Sequence, residues 1–169
     1  RSCREGTPEW GSAWAGGLGV LLGDGGGVDE SAAGDMAPCD PTKILCIHLN
    51  YDSRRVEFRA KPLTTPTYFQ KPLTTLNAHR GVVHRPADCQ YLNYEGEIAV
   101  VISRPMRNVG PDDVWDYVAG FMPSNDVGLH DFRDTDAGSM LRVQGKDGYC
   151  PVGTGLRRGV AIARHPLRT

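Results

Sequence analysis

The chain has 169 residues, enough for one domain with a sizeable core, and a formal net charge of −1. A charge so near neutrality leaves no basic footprint for nucleic acid or for an anionic membrane surface, and no apolar run approaches the ~20 residues that a helical membrane span needs. The five cysteines, Cys3, Cys39, Cys46, Cys89 and Cys150, are scattered without a CxxC pair, which argues against a zinc ribbon or a disulfide framework and fits a reducing, cytoplasmic compartment.

Residues 1–38 are rich in Gly, Ala, Ser and acidic side chains and contain the tract Gly23-Asp24-Gly25-Gly26-Gly27. Such a segment offers little apolar surface and is expected to be a flexible extension. Leu18–Leu22 is too short for the apolar region of a signal peptide. The surrounding GLGVLLGDGGG lacks the Lys-Ser/Thr of a phosphate-binding loop and no convincing strand precedes it. The first residue is Arg, and Met36 stands where a natural start is expected.

From Pro41 the pattern changes. Lys43–Asn50 reads as a strand, Thr67–Gln70 as a second and Val82–Arg85 as a short extended piece; Tyr94–Ser103, with its β-branched run, is the strongest strand signal. Pro111 followed by Asp112 and Asp113 predicts a helix start over Pro111–Val118. A further strand then runs towards Ser124-Asn125-Asp126, a loop or short helix spans Leu129–Asp136, and Cys150-Pro151-Val152-Gly153 reads as a turn. Strands outnumber helices, and Pro and Gly punctuate them closely, so the predicted fold class is β-rich α+β, not doubly wound.

Within the strongest strand, Glu95 and Glu97 lie two positions apart and lead into Ile98–Ile102. Residues i and i+2 of a strand share a face. Two carboxylates held that close repel unless a proton or a cation neutralises them, and a hard divalent ion suits paired carboxylates. Taken alone, the same residues would also suit a solvent-facing edge strand.

Five segments, in order, resemble one family. Ile44-Leu45-Cys46-Ile47-His48-Leu49-Asn50-Tyr51 is similar to its opening strand, Tyr68-Phe69-Gln70-Lys71-Pro72 to its aromatic-x-Lys-Pro segment, and residues 93–102 to its Glu-x-Glu strand. Residues 116–133 resemble its Tyr-Val-Ala-Gly…Asn-Asp-Val segment, and Asp147-Gly148-Tyr149-Cys150-Pro151 its Asp-x-Phe-Cys-Pro turn. The family is the fumarylacetoacetate hydrolase superfamily, and the closest flavour is its bacterial 4-hydroxyphenylacetate-degradation isomerase/decarboxylase branch. The resemblance covers roughly residues 41–155. It implies a mixed β-roll, incomplete in this chain, and a domain layout of extension (1–38), N-terminal part of the catalytic domain (39–156) and short basic tail (157–169). It also implies a Mg²⁺ or Mn²⁺ site and a homodimer.

Carried over by position, the resemblance makes Glu95, Glu97 and Asp126 the metal ligands; Asp126 alone would read as a turn residue. Lys71 falls near the substrate or the metal, or is an ordinary surface lysine. Asp131 and Arg133 either brace the site or pair on the surface. Metal-chelating 2-oxo acids are the implied substrates, with the ion as Lewis acid.

Three departures stand out. Where many members carry a lid His paired with a Glu, this chain has Arg54, with Glu57 in the Glu position. Arginine keeps its proton and cannot be a general base, but it can clamp the distal carboxylate of a diacid. His48 and His130 read as structural. The family's Lys ahead of the Asp-x-Phe-Cys-Pro turn is Gln144 here, and Lys146 could replace it if the segment is extended, although displaced by about 6–7 Å. Finally, Leu156–Thr169 lacks the family's later Gly-Thr-Pro segment, so a truncated product or a second polypeptide carrying the missing half is expected.

The expected function is a divalent-metal-dependent isomerase/decarboxylase acting on an unsaturated 2-oxo diacid in aromatic-compound catabolism, with Arg54, Glu57 and Lys146 as catalytic candidates and Lys71 and Arg54 as substrate-binding ones. Hydrolysis of an acylpyruvate-type C–C bond and a non-catalytic interaction module are the alternatives.

Overall fold

The computed structural model describes residues 2–4, 11–13, 19–22, 27–29, 33–62, 64–136 and 138–162. Strands β1 (Ser2–Arg4), β2 (Gly11–Ala13), β3 (Gly19–Leu22), β4 (Gly27–Asp29) and β5 (Ala33–Asp35) form an antiparallel sheet in the order β4-β3-β2-β1-β5. The stretch expected to be a flexible extension thus forms strands over those of residues 2–35 that are described, with residues 36–38 outside the sheet. Backbone groups alone make such a ladder, and Gly and Ala offer them as well as any residue. Gly23–Gly26 and residues 163–169 of the basic tail lie outside the described residues. Arg80 donates to Asp35 at 3.0 Å, and Ala37 and Cys39 pack into the core of the following region.

That region is built from short ladders. Strand β6 (Ile44–Ile47) pairs antiparallel with β7 (Tyr68–Lys71), with Ile44 opposite Lys71 and Cys46 opposite Phe69. Their alternation buries Phe69 and Lys71 and turns Leu45, Ile47 and Tyr68 outwards. Helix α1 (Asp52–Glu57) lies in the connection and has no buried residue. Strand β8 (Leu76–Asn77) runs parallel to β13 (Cys150–Pro151), and β9 (Leu92–Asn93) pairs with β12 (Gly128–Leu129). The longest ladder joins β10 (Gly96–Ile102) to β11 (Val118–Asn125), with Gly96 opposite Asn125 and Glu97 opposite Ser124. Helix α2 (Leu141–Gln144) precedes β13.

Two expectations are revised and one is refined. The helix predicted from Pro111 is only a turn followed by a 3₁₀ turn at Val114–Tyr117. Trp115 there is exposed, so the segment has no apolar face whose burial could extend it. The short extended piece expected at Val82–Arg85 joins no ladder; side chains take its carbonyls, Asn77 Nδ2 donating to Val82 O at 3.0 Å and Tyr149 Oη to His84 O at 3.1 Å. The expected turn at Cys150–Gly153 begins as β13. Gly153 is required just beyond it, because a Cβ there would stand 2.6 Å from Pro123 Cγ.

Two buried clusters hold the region together. Cys89, Val127, Leu129 and Tyr149 form one; Met122, Cys150 and Val152, packed by Ile44, Leu76, Ala99 and Val101, form the other. Asp126 sits beside Val127, and Tyr149-Cys150 contributes to both clusters, so the polar groups described next lie at their junction.

Candidate functional site

The β10–β11 ladder ends at the pair Gly96–Asn125, and the chain on either side of that end is cross-tied. Glu95 N–H donates to Asn125 Oδ1 at 3.0 Å, and Asp126 N–H donates to Glu95 O at 2.9 Å. Glu95 and Asp126 are therefore fixed next to each other by backbone, while Glu97 follows Glu95 at strand spacing. Lys71, at the end of β7, enters from another ladder. Its ammonium donates to the Asp126 carboxylate and, at 3.0 Å, to Tyr149 O. Both partners are buried, Lys71 at 1% exposure and Asp126 at 6%. The surface-lysine reading of Lys71 is thus overturned, and its aliphatic stem accounts for its place on the inward face beside Phe69. The Cys46 side chain helps to hold down the pKa of the same carboxylate. Burial, and then the Asp126 charge, push Cys46 up to about 12, so it stays a thiol.

The Asp126 charge raises the pKa of both glutamates, and Glu95 raises that of Glu97. Glu97 is pushed up to about 7 by burial and by the charges of Asp126 and Glu95, against a partial pull from Lys71. Glu95 is raised by burial and by Asp126, with Arg54 and Lys71 opposing. Burial also holds Asp126 up against Lys71. Asn93 Nδ2 donates to Glu95 Oε1 at 2.9 Å.

The Arg54 guanidinium and the His130 imidazole approach that same oxygen. Arg54, on α1, stands 3.8 Å away, and His130 Nε2 is also 3.8 Å away. The His130 imidazole is held below its ordinary pKa by burial and by Arg133 and Arg54. His130, read from the sequence as structural, thus faces the acidic group; no spacing in the chain signals this, because the contact arises only once the 3₁₀ turn His130–Phe132 packs near α1. Glu57 accepts from Arg54 at 2.8 Å on an exposed face. Asp131 accepts the backbone N–H groups of Gln90 and Tyr91, which hold its pKa down, and so anchors the approach to β9. Arg133 pairs with Asp134 at 3.6 Å, not with Asp131.

Lys146 does not join this group as the sequence suggests. The segment that had to be extended is the helix α2, so positions 144 and 146 do not share a strand face, and Lys146 is exposed beyond the Gly145 cap. Gln144 is the buried residue; its Oε1 has no hydrogen-bond partner among the described residues, and its Cγ packs 3.2 Å from where a Cβ on Gly128 would stand.

The donor chemistry suits a hard divalent ion, since carboxylates whose ionised forms are disfavoured by burial and, for the two glutamates, by neighbouring carboxylates are relieved by added positive charge. Among the described residues, however, no three acidic, imidazole or thiol groups converge closely enough to hold an ion. Lys71 provides the counter-charge at Asp126 in this arrangement.

The sequence matches the profile of the fumarylacetoacetate (FAA) hydrolase C-terminal family over residues 43–165. It is 35% identical to a homoprotocatechuate catabolism bifunctional isomerase/decarboxylase of Escherichia coli over 64% of this chain and 26% of that one. A solved 5-carboxymethyl-2-hydroxymuconate delta-isomerase from Mycobacterium smegmatis shares the fold, with a TM-score of 0.75 at 24% identity over 95% of this chain and 66% of that one. A 2-hydroxyhepta-2,4-diene-1,7-dioate isomerase from Mycobacterium marinum superposes with a TM-score of 0.69 at 26% identity over 90% of this chain and 55% of that one. The chain spans about half the length of the curated relatives it matches first, 44%, 53% and 47% of them. A profile that runs from just before β6 to beyond β13 follows the architecture and not a single motif, and the chain accordingly belongs to the fumarylacetoacetate hydrolase family.

Proposed function

We propose that this chain carries the acidic centre of a Mg²⁺- or Mn²⁺-dependent isomerase/decarboxylase acting on an unsaturated 2-oxo diacid from aromatic-compound breakdown. The observation that carries the reading is the coupled set Glu95, Glu97 and Asp126 around the buried Lys71. These three carboxylates would have to draw closer together than they stand here to hold the ion, which when bound would supply Lewis acidity towards the 2-oxo and carboxylate oxygens of the substrate. Lys71 keeps Asp126 in place and ionised, Asn93 and Asn125 orient Glu95 and its backbone, and α1 brings the Arg54 guanidinium to the edge of the group. Because Arg54 keeps its proton, it binds anions and does not activate water, which favours proton shift or decarboxylation over C–C hydrolysis. Glu57, bonded to Arg54, remains the carboxylate on the lid for moving a proton. Relatives named as isomerase/decarboxylase and dioate isomerase support the substrate class. The outward apolar side of the β6–β7 ladder, Leu45, Ile47 and Tyr68, supports pairing with a second chain, a copy or one bearing the remaining half.

Incubation of the purified protein with Mg²⁺ and unsaturated 2-oxo diacids, followed by mass spectrometry, tests this. Isomerisation at constant mass or loss of carbon dioxide is expected, from a species that sediments larger than one chain. Release of two acids from one substrate would replace the reading with hydrolysis, and conversion of none would contradict it.

A further inference from the structure

Phe58, just past the C-terminal end of α1, has two guanidinium groups within cation–π range of its ring. The Arg54 carbon Cζ lies 4.5 Å from the ring centre and the Arg133 Cζ lies 5.1 Å from it. The two charges are therefore less than about 10 Å apart, each within cation–π range of one ring. They come from different elements, Arg54 from α1 and Arg133 from the end of the 3₁₀ turn after β12, where its N–H donates to His130 O at 3.2 Å. Like charges do not gather without cause, and the acidic partners present are weak ones. Arg54 bonds Glu57, whose side chain is 63% exposed, and Arg133 pairs at 3.6 Å with Asp134, which is 91% exposed. Ion pairs so open to water contribute little and exchange readily for another carboxylate. Arg54 also stands 3.8 Å from Glu95, so the pair lies directly beside the acidic group.

We infer that Arg54 and Arg133, braced on Phe58, form an anion subsite for the second carboxylate of a dicarboxylic substrate, and that Arg133 is a specificity-determining residue. The inference rests on the functional reading above for the dicarboxylic substrate and the position of its 2-oxo end, and it adds what that reading leaves open: Arg133, from a second element, shares with Arg54 the grip on the far carboxylate. Planar guanidinium groups bind carboxylate through two parallel hydrogen bonds, and neither loses its charge at any working pH.

Calorimetric titration of the Mn²⁺-loaded protein with 2-oxoadipate and with 2-oxohexanoate, which lacks only the second carboxylate, tests the subsite. The wild-type chain is expected to prefer the dicarboxylate by about tenfold or more, as charge-assisted hydrogen bonds imply. R133Q should cut that preference by about fivefold or more while leaving 2-oxohexanoate affinity unchanged, with R133K intermediate because it keeps the charge and loses the fork. Arg133 is half exposed, so these variants fold. An undiminished preference in R133Q, or an equal loss for both acids, overturns the subsite and leaves the functional reading standing. A wild-type chain that binds neither acid overturns both.

Discussion

Replacing Lys71 by methionine should destabilise the folded chain by about 3–5 kcal/mol, the scale for breaking one side of a buried ion pair. The methionine stem fills most of the space that the lysine stem occupied between Phe69 and the core, so the loss is electrostatic. Asp126 would keep a buried carboxylate without its ammonium partner, and Tyr149 O would lose the ammonium bonded at 3.0 Å. In urea, with a dependence of about 1–3 kcal/mol per molar, the unfolding midpoint should fall by about 1–5 M. The double variant K71M/D126L should recover most of the loss, because an apolar pair in place of a buried ion pair is close to neutral. A K71M midpoint within about 0.3 M of wild type would show that Lys71 does not neutralise a buried Asp126.

Glu97→Gln should have the opposite effect on stability when metal is removed with a chelator. The folded pKa of Glu97 is raised from 4.5 to about 7, chiefly by burial and then by Asp126 and Glu95. A group with a raised folded pKa binds more protons folded than unfolded between those values, so stability falls as pH rises from about 4.5 to 7. Above pH 7 the ionised Glu97 carries its full cost, and below about 4.5 the cost is gone. Gln removes that cost at every pH. The metal-free E97Q protein should therefore be more stable than wild type at pH 8 by on the order of 1 kcal/mol, discounted for the solvent that reaches a half-buried group, and the gap should close towards pH 5. Thermal melts at both pH values read this. An E97Q protein less stable than wild type at pH 8 would mean that Glu97 is already well compensated by other groups.

The parts of this architecture that depend on local pattern were legible in the chain. The β-branched run after Glu97 gives β10, and the i, i+2 spacing puts Glu95 and Glu97 on one side. The strands at Lys43–Asn50 and Thr67–Gln70 are found as Ile44–Ile47 and Tyr68–Lys71, and that one-residue extension matters, because it takes Lys71 into the ladder on its buried face. What was not legible depends on distant contacts. The parallel pairing of Cys150-Pro151 with Leu76-Asn77 converts an expected turn into a strand. The burial of Lys71 follows from Asp126 and Tyr149, 55 and 78 residues away. Helix α1 buries nothing, so it has no apolar stripe for periodicity to detect, and its signals are only Asp52 in the first turn and the Asp52–Arg55 and Arg54–Glu57 pairs. Lys146 was misplaced because a four-residue helix, entered through a left-handed Met140, has too few residues to show a period. His130 lies at the end of β12, where nothing in the sequence tells that it turns towards Glu95 instead of solvent.

Titration of Mn²⁺ into the purified chain, with E97Q alongside, tests the central claim most directly. The account predicts saturable binding to one site per chain in the wild type, weakened by about a hundredfold or more in E97Q, as the loss of one charged ligand implies. Because E97Q is expected to be the more stable protein without metal, a loss of binding could not be ascribed to unfolding. No saturable binding to the wild type, or equal binding to both proteins, would contradict the assignment of Glu95, Glu97 and Asp126 as the ion-holding group.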